Sequence, residues 1–323
     1  MKKVCIVGYG AIGSVHAAAL EKSDNAKLYA VCDNDYNRTN LCREKYKIVA
    51  YTDFDEMLVD ENIDSVHICT PHYLHFEMIR KALEAGKKVV CEKPVTMTKT
   101  EFDELLSIKN NENVCVVFQN RLNPCFLCLE EVMESGRLGN VKSVKGIVTW
   151  CRTAEYYSQA DWRGRWSTEG GGVLINQAVH TLDFLCSIGG QVESVKANMM
   201  NYSLPEIEVE DTCTAYIKFT SGATGLLLAT NVNGINSPID FEVIFDKGVA
   251  RYNDGKLYIN GELKIEDSTP ILGKTYWGKG HEALAKNYYD FNNYFTPHDV
   301  KNTMNTMFAI YESAKQNGKE VAL

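Results

Sequence analysis

Positive charge is in short supply in this chain: 34 Lys and Arg stand against 42 Asp and Glu, for a net charge of −8 and a pI near 5.5. That balance argues against nucleic acid or an anionic membrane surface as the main partner. Long hydrophobic runs are missing too, and no apolar stretch approaches the roughly 20 residues needed to span a bilayer. The eleven cysteines are odd in number and irregularly spaced, which excludes a disulfide framework and reads as reduced thiols. Cys125-x-x-Cys128 lacks a second CxxC or HxxxH partner, so four-ligand zinc is not expected. Just after Pro124, at a helix start, the two cysteines read as packed small hydrophobes. Gly280-His281-Glu282 has the look of a zinc-site fragment without the rest of its pattern, so no metal is expected. Internal repeats, low-complexity tracts and disordered linkers are also absent.

What remains is enough for two domains: 323 residues, 45% of them hydrophobic, can support sizeable cores. Lys2-Lys3, an apolar stretch and Ala17-Ala18-Ala19 superficially mimic a signal peptide. Three glycines interrupt the stretch and belong to a first strand and its turn, so a cytoplasmic protein is expected.

Those glycines form Gly8-Tyr9-Gly10-Ala11-Ile12-Gly13, directly after the strand Val4–Val7. In such a turn the first glycine allows the tight bend, the second lets backbone approach a pyrophosphate, and the third lets helix and strand pack closely. A lone GxGxxG is weak evidence. Here an amphipathic run follows it, and a second strand, Lys27–Cys32, ends at Asp33, twenty residues past Gly13, where an acid can bond the adenosine ribose. Asp33-Asn34-Asp35 puts carboxylates where a 2′-phosphate would sit, with no adjacent arginine to receive it. The expected cofactor is NAD, with NADP less favoured.

Strands and helices alternate as far as Val114–Val117, which predicts a doubly wound, mainly parallel sheet. Its strand ends would carry Gly8–Gly13, Asp33, Thr70-Pro71-His72, Glu92-Lys93-Pro94 and Gln119-Asn120-Arg121. From about Arg121 short strands joined by Ser221-Gly222 and Asp254-Gly255 turns predict an α+β region with an open, mainly antiparallel sheet. A helix near Gly172–Ile188 and two C-terminal helices, about Glu282–Phe295 and Val300–Asn317, would flank that sheet. The expected domains are therefore 1–120, an NAD-binding Rossmann domain, and 121–323, for substrate binding and oligomerisation.

Two segments carry chemistry. Glu92-Lys93-Pro94 ends an apolar strand, and a lysine delivered there projects into the ligand crevice of an open α/β sheet. Pro94 restricts the lysine's backbone. Taken alone, EKP would be an ordinary surface turn. The second segment is Gly170-Gly171-Gly172 through Asp183, where helical spacing puts Asn176, His180 and Asp183 on one stripe. An isolated histidine is more often structural, but glycines just upstream suit close approach of a ligand.

Together these motifs resemble the glucose–fructose oxidoreductase/inositol dehydrogenase/MocA (Gfo/Idh/MocA) family, over essentially the whole chain. The resemblance runs through GxGxxG, Thr70-Pro71 with His75, Ala85-Gly86-Lys87 into Glu92-Lys93-Pro94, and Gly170–Asp183. It implies that Lys93 and His180 are catalytic, that the Lys93–Pro94 bond is often cis, and that Trp162-Arg163 approaches the nicotinamide end of the cofactor. Cofactor contacts would come from Gly8, Gly10, Ala11, Ile12, Gly13, Asp33, Thr70, Pro71, His75, Glu92, Lys93, Gln119, Trp162 and Arg163. Substrate contacts would come from Asn176, Asp183 and Arg163. Many inositol-dehydrogenase-like members carry aspartate four residues before the histidine, where this chain has Asn176. An amide cannot stabilise an imidazolium as a carboxylate does, so Asn176 is read as substrate-orienting.

The expected activity is hydride transfer between nicotinamide and a secondary alcohol or ketone of a sugar, cyclitol or sugar derivative. His180 would be the general base and Lys93 the charge stabiliser. Tyr156, Tyr157, Trp162, Arg163, Arg165 and Trp166, with Tyr276, Trp277, Lys279 and His281, suit a polar ring. A redox-assisted glycosidase, a nucleotide-sugar dehydrogenase and a non-catalytic dinucleotide sensor stay open as alternatives. A homodimer or homotetramer is expected.

Overall fold

The computed structural model describes residues 1–270 and 272–323. It divides into two compact units: Met1–Thr96, Thr100–Leu122 and Thr269–Asp299 form the first, and Met97–Lys99, Asn123–Ser268 and Val300–Leu323 the second.

The first unit runs β1 (Lys2–Val7), α1 (Ala11–Leu20), β2 (Ala26–Cys32), α2 (Tyr36–Tyr46), β3 (Val49–Tyr51), α3 (Phe54–Leu58), β4 (Ser65–Ile68), α4 (His75–Glu84), β5 (Lys88–Cys91), α5 (Lys99–Ser107) and β6 (Val114–Val116). All its strand pairs are parallel, in the order β3-β2-β1-β4-β5-β6. Val4, Ile6, Val66, Ile68, Val89 and Val90 are all fully buried, as a sheet covered on both faces requires. Asp35 and Asp53 cap α2 and α3 by accepting from backbone N–H groups of the first turn. The sheet order reverses at β1, and the ends of β1 and β4 frame that switch point.

The second unit holds α6 (Pro124–Glu134), β7 (Val141–Thr149), α7 (Ala154–Ser158), α8 (Val179–Gly189), β8 (Val192–Met200), β9 (Thr212–Phe219), β10 (Thr224–Thr230), β11 (Asp240–Phe245), β12 (Gly248–Asn253), β13 (Lys256–Ile259) and β14 (Glu262–Glu266). The chain then enters the first unit as α9 (Gly280–Phe291) and ends in the second with α10 (Lys301–Lys315) and β15 (Val321–Ala322). The sheet order is β14-β13-β12-β11-β7-β10-β9-β8-β15; β7 and β10 are parallel and the other pairs antiparallel. Along β9, Cys213, Ala215, Ile217 and Phe219 are buried and alternate with exposed residues. The buried face packs against α8 and α10; the other carries exposed Tyr216, Leu226, Ile244 and Val249.

Two expectations need correction. The helix expected near Glu282–Phe295, placed by sequence beside the antiparallel sheet, lies in the segment Thr269–Asp299 and packs with the parallel one. Leu284 and Tyr288 of α9 bury against Val90, Cys115 and Val117, and Val116 N–H donates to Phe295 O (2.7 Å) along the β6 edge. Amphipathic periodicity shows that a helix buries a face without showing which sheet receives it. The helix expected over Gly172–Ile188 opens with a π-helical turn, Leu174–Ala178, before α8 begins. The i→i+5 spacing adds a residue to that turn and changes which side chains share a face.

Candidate functional site

In the first unit Gly8 has φ +86°, and a Cβ there would lie 2.7 Å from Cys69 O. Only glycine fits between the ends of β1 and β4. The N-terminus of α1 at Gly10 has no side-chain cap, and a Cβ on Gly10 would meet nothing within 4 Å. Uncapped N–H groups beneath open space fit a pyrophosphate. Asp33 is buried, and its carboxylate accepts from Tyr9 N–H (2.7 Å) and Asp35 N–H (2.9 Å). Each oxygen keeps a second lone pair, so Asp33 can brace the turn and still accept from a ribose. Sequence adjacency showed no arginine here, but α2 brings Arg38 within 3.7 Å of Asp33 and 3.4 Å of Asp35. Two carboxylates thus hold the cation that a 2′-phosphate would seek. Gln119 Oε1 is a buried acceptor with no hydrogen-bond partner among the described residues, which suits a ligand donor.

Behind Lys93 the fold assembles a cluster that sequence order hides. Glu92 Oε1 lies 2.9 Å from His16 Nε2 and 3.4 Å from His281 Nε2, while Oε2 accepts from Lys93 N–H (3.2 Å). His16 Nδ1 faces His67 Nδ1 at 2.8 Å, and His67 Nε2 meets Tyr289 OH at 2.9 Å. Burial disfavours a charge on His16, but Cys69 and Glu92 beside it outweigh this and raise its pKa to about 10. Burial would lift Glu92, yet its bonds to His16 and His281 hold it well below the usual carboxylate range. Burial and the neighbouring His16 charge push His67 well below the ordinary histidine value. His16 is therefore the imidazolium, donating to both Glu92 and a neutral His67. His16 Nε2, Glu92 Oε1 and His281 Nε2 lie within 4.8 Å of one another, the one donor set of metal-ligand type among the described residues. Sequence spacing had pointed to no metal; the fold joins three donors from α1, the residue just after β5, and α9. In this protonation state the His16 charge already answers the carboxylate.

Two residues expected to touch cofactor are occupied elsewhere. His75 is fully buried, with Nδ1 2.7 Å from Pro94 O and Nε2 2.9 Å from Thr70 O. With both ring nitrogens engaged, it ties the Thr70-Pro71 turn to the Glu92–Pro94 segment. Glu92 likewise commits both oxygens inside the unit. Lys93 is half-buried at the end of β5, and the Lys93–Pro94 bond is cis. Thr70 and Pro71 are partly accessible at the end of β4.

In the second unit the π turn and α8 carry Asn176 and His180 one turn apart. From Gly171 to Cys186 these two alone are not buried. Asp183 leaves the expected stripe: it is 1% exposed and accepts from Thr303 Oγ1 of α10 (2.7 Å). Asn176 Nδ2 donates to Glu169, a buried carboxylate that also accepts from Gly164 N–H. Arg163 lies over the Tyr156 ring at 4.2 Å and the Trp162 ring at 5.3 Å. Its Nε and Nη1 are buried without hydrogen-bond partners among the described residues, two donors suited to an anionic or hydroxyl-rich ligand. Glu210 accepts from Gly172 N–H, Leu174 N–H and Tyr311 OH. Burial pushes Glu210 up to about 7 despite those bonds. Sequence reading missed Glu169, Glu210, His16 and Arg38; only Glu169, next to Gly170, carried a local signal.

A model of the oxidoreductase family with an NAD-binding Rossmann fold (Gfo/Idh/MocA) matches residues 2–120, and the Gfo/Idh/MocA C-terminal domain matches residues 126–251. The chain belongs to the Gfo/Idh/MocA oxidoreductase family. It is 28% identical to levoglucosan dehydrogenase of Pseudarthrobacter phenanthrenivorans over 62% of this chain and 58% of that one. It is 27% identical to myo-inositol 2-dehydrogenase of Thermotoga maritima over 70% and 67%. The chain thus spans under two thirds of the levoglucosan dehydrogenase it matches. The WlbA dehydrogenase of Bordetella pertussis, solved with NADH and UDP-GlcNAcA, matches in structure with TM-score 0.90 and 26% identity, over 100% of this chain and 97% of that one.

Proposed function

We propose that this protein is an NAD-dependent oxidoreductase that moves a hydride between nicotinamide and a secondary alcohol or ketone of a sugar, cyclitol or sugar derivative. The observation that carries this reading is Lys93 at the C-terminal end of β5, in the unit that also presents an open, uncapped α1 N-terminus and Asp33. NAD, when bound, supplies the hydride acceptor or donor. Gly8, Gly10, Ala11, Ile12, Gly13 and Asp33 would hold its pyrophosphate and ribose, with Gln119 accepting from it. Lys93 places an ammonium at the substrate oxygen, where negative charge develops. His180 takes the hydroxyl proton on oxidation and returns it on reduction, since an imidazole titrates near working pH. Asn176 and Arg163 orient the substrate. In this reading the first unit binds cofactor, and the second binds substrate and assembles copies of the chain.

A nucleotide-linked sugar is the second reading, favoured by the buried donors of Arg163 and by similarity to a dehydrogenase solved with UDP-GlcNAcA. A homo-oligomer is supported by the uncovered sheet face of Tyr216, Leu226, Ile244 and Val249. A cytoplasmic location is supported by the eleven cysteines, all free thiols. No helix among the described residues is long and apolar enough to cross a membrane.

The test is NADH absorbance and product mass, followed together across sugars, cyclitols, glycosides and nucleotide sugars. On a turned-over substrate, Lys93→Ala should lower the rate about 10²–10³-fold, while NAD affinity stays within a few-fold. A variant keeping more than about a tenth of wild-type turnover would remove Lys93 from the mechanism.

A further inference from the structure

Two guanidinium groups share one tyrosine ring in the second unit. Arg152, just before α7, lies over the Tyr156 ring at 5.1 Å and the Trp150 ring at 5.0 Å. Arg163 lies over the same Tyr156 ring at 4.2 Å. Local bonds hold all three in place. Arg152 N–H donates to Asn231 O (2.8 Å), and its Nη1 donates to Cys151 O (2.7 Å) and Asn236 Oδ1 (2.7 Å). Tyr156 OH accepts from Gln177 Nε2 of the π turn (3.2 Å), next in sequence to Asn176. Arg163 N–H donates to Ala160 O (3.0 Å). These bonds leave over Arg152 Nε, Arg163 Nε and Arg163 Nη1, three buried donors with no hydrogen-bond partner among the described residues. Neither arginine forms an ion pair with a carboxylate among those residues.

A ring face attracts a cation but does not neutralise it, and it leaves the in-plane N–H groups unused. Buried donors of a charged group are costly to leave unmade, and two like charges on one ring repel. An anionic ligand group removes both costs, because carboxylate and phosphate oxygens match the guanidinium fork. The pyrophosphate of the cofactor has its place at the uncapped α1 N-terminus of the first unit, so the anion sought here is the substrate's.

We propose that Arg152 and Arg163, on the Tyr156 ring, form a subsite for a negatively charged group of the substrate, which makes the substrate an acidic or phosphorylated sugar instead of a neutral one. The proposal rests on the oxidoreductase reading and adds Arg152 to the residues that hold substrate. A ring carboxylate and a phosphate attached to the sugar share this chemistry.

The test compares neutral glucose, galactose and N-acetylglucosamine with their uronate, 1-phosphate and UDP-linked counterparts. NADH formation gives kcat/KM, and calorimetry on the NADH-bound protein gives affinity without turnover. At least one charged compound should exceed its neutral counterpart about tenfold or more. Arg152→Gln should take roughly 10- to 100-fold from that compound and leave the neutral sugar and NADH within about twofold. Arg152→Lys keeps the charge without the fork and should fall between the two. The compound that loses its advantage tells a carboxylate from a phosphate. No preference for any charged compound in the wild type, or an equal loss for charged and neutral sugar in Arg152→Gln, overturns the proposal. If Arg152→Gln does not fold, Arg163→Gln must show the same selective loss, and a loss shared by the neutral sugar overturns it. Lys93→Ala separates the two layers. If it turns over as fast as the wild type, the functional reading itself fails. If it is inactive while the wild type uses neutral sugars as well as charged ones, only the anion subsite fails.

Discussion

Glu92 in one unit and Glu210 in the other are both buried, and the two are treated in opposite ways. Glu92 in the first unit faces His16 and His281, and an imidazolium holds it well below the usual carboxylate range. Glu210 in the second unit is met by two backbone N–H groups and a phenol, and burial raises it to about 7. Hydrogen bonds satisfy the oxygens of both. The bonds to Glu92 come from histidines, one of them an imidazolium whose charge adds to its hydrogen bond, and together they outweigh the loss of hydration; the neutral donors around Glu210 do not. The chemistry differs accordingly. Glu92 stays an anion beside the Lys93 peptide, whereas Glu210 can bind a proton near neutrality at the start of the π turn.

The largest expected effect comes from removing the matched charge. Glu92→Ala strands the His16 imidazolium in the core and should cost about 3–5 kcal/mol by urea unfolding at pH 6. A loss below about 1 kcal/mol would mean that the pair is no ion pair and erase the contrast with Glu210. The same pair has a pH signature. His16 is raised, so its contribution is full below about 6.5 and fades as pH climbs through about 10. Glu92 is depressed, so its contribution is present above about 4.5 and is lost on acidification.

Glu210 is expected to come next. Its raised pKa means a contribution to stability that is full below about 4.5 and disappears as pH rises through about 7. The decline is on the order of 3 kcal/mol. Unfolding midpoints of wild type and Glu210→Gln between pH 5 and 8 measure it. Equal slopes would show that Glu210 ionises at its ordinary value and that the two units handle buried carboxylates alike.

The smallest effect concerns the edge of the first unit. Asp33→Ser should narrow the preference for NAD over NADP by a few-fold, since it removes a carboxylate and loosens Arg38. Calorimetric titration with both dinucleotides checks this. Wild-type affinity for NADP equal to that for NAD would show that Arg38, not Asp33, governs the site.

Local pattern made much of this molecule legible. Gly8 through Gly13 followed by an acid at 33, the alternation of strands and helices, and the glycine-marked turns after residue 121 all describe constraints within about thirty residues of chain. The parallel and antiparallel sheets, and the presence of Lys93 on a strand end, follow from them. Periodicity failed along this helix: it opens with a π turn over Leu174–Ala178, and Asp183, expected on the stripe with Asn176 and His180, is buried and bonded to Thr303.

Partners distant in sequence were decided by tertiary structure alone. His16, Glu92 and His281 come from three separate elements, and nothing in a stretch of chain announces that α9 will lie on α1. Even the nearby Arg38 reaches Asp33 only because α2 turns back over the end of β2. The protonation states depend on the same assembly, because burial and a neighbouring charge exist only once the chain is folded. Residue types and their spacing thus determined which groups are able to do chemistry, and packing determined which of them carry charge.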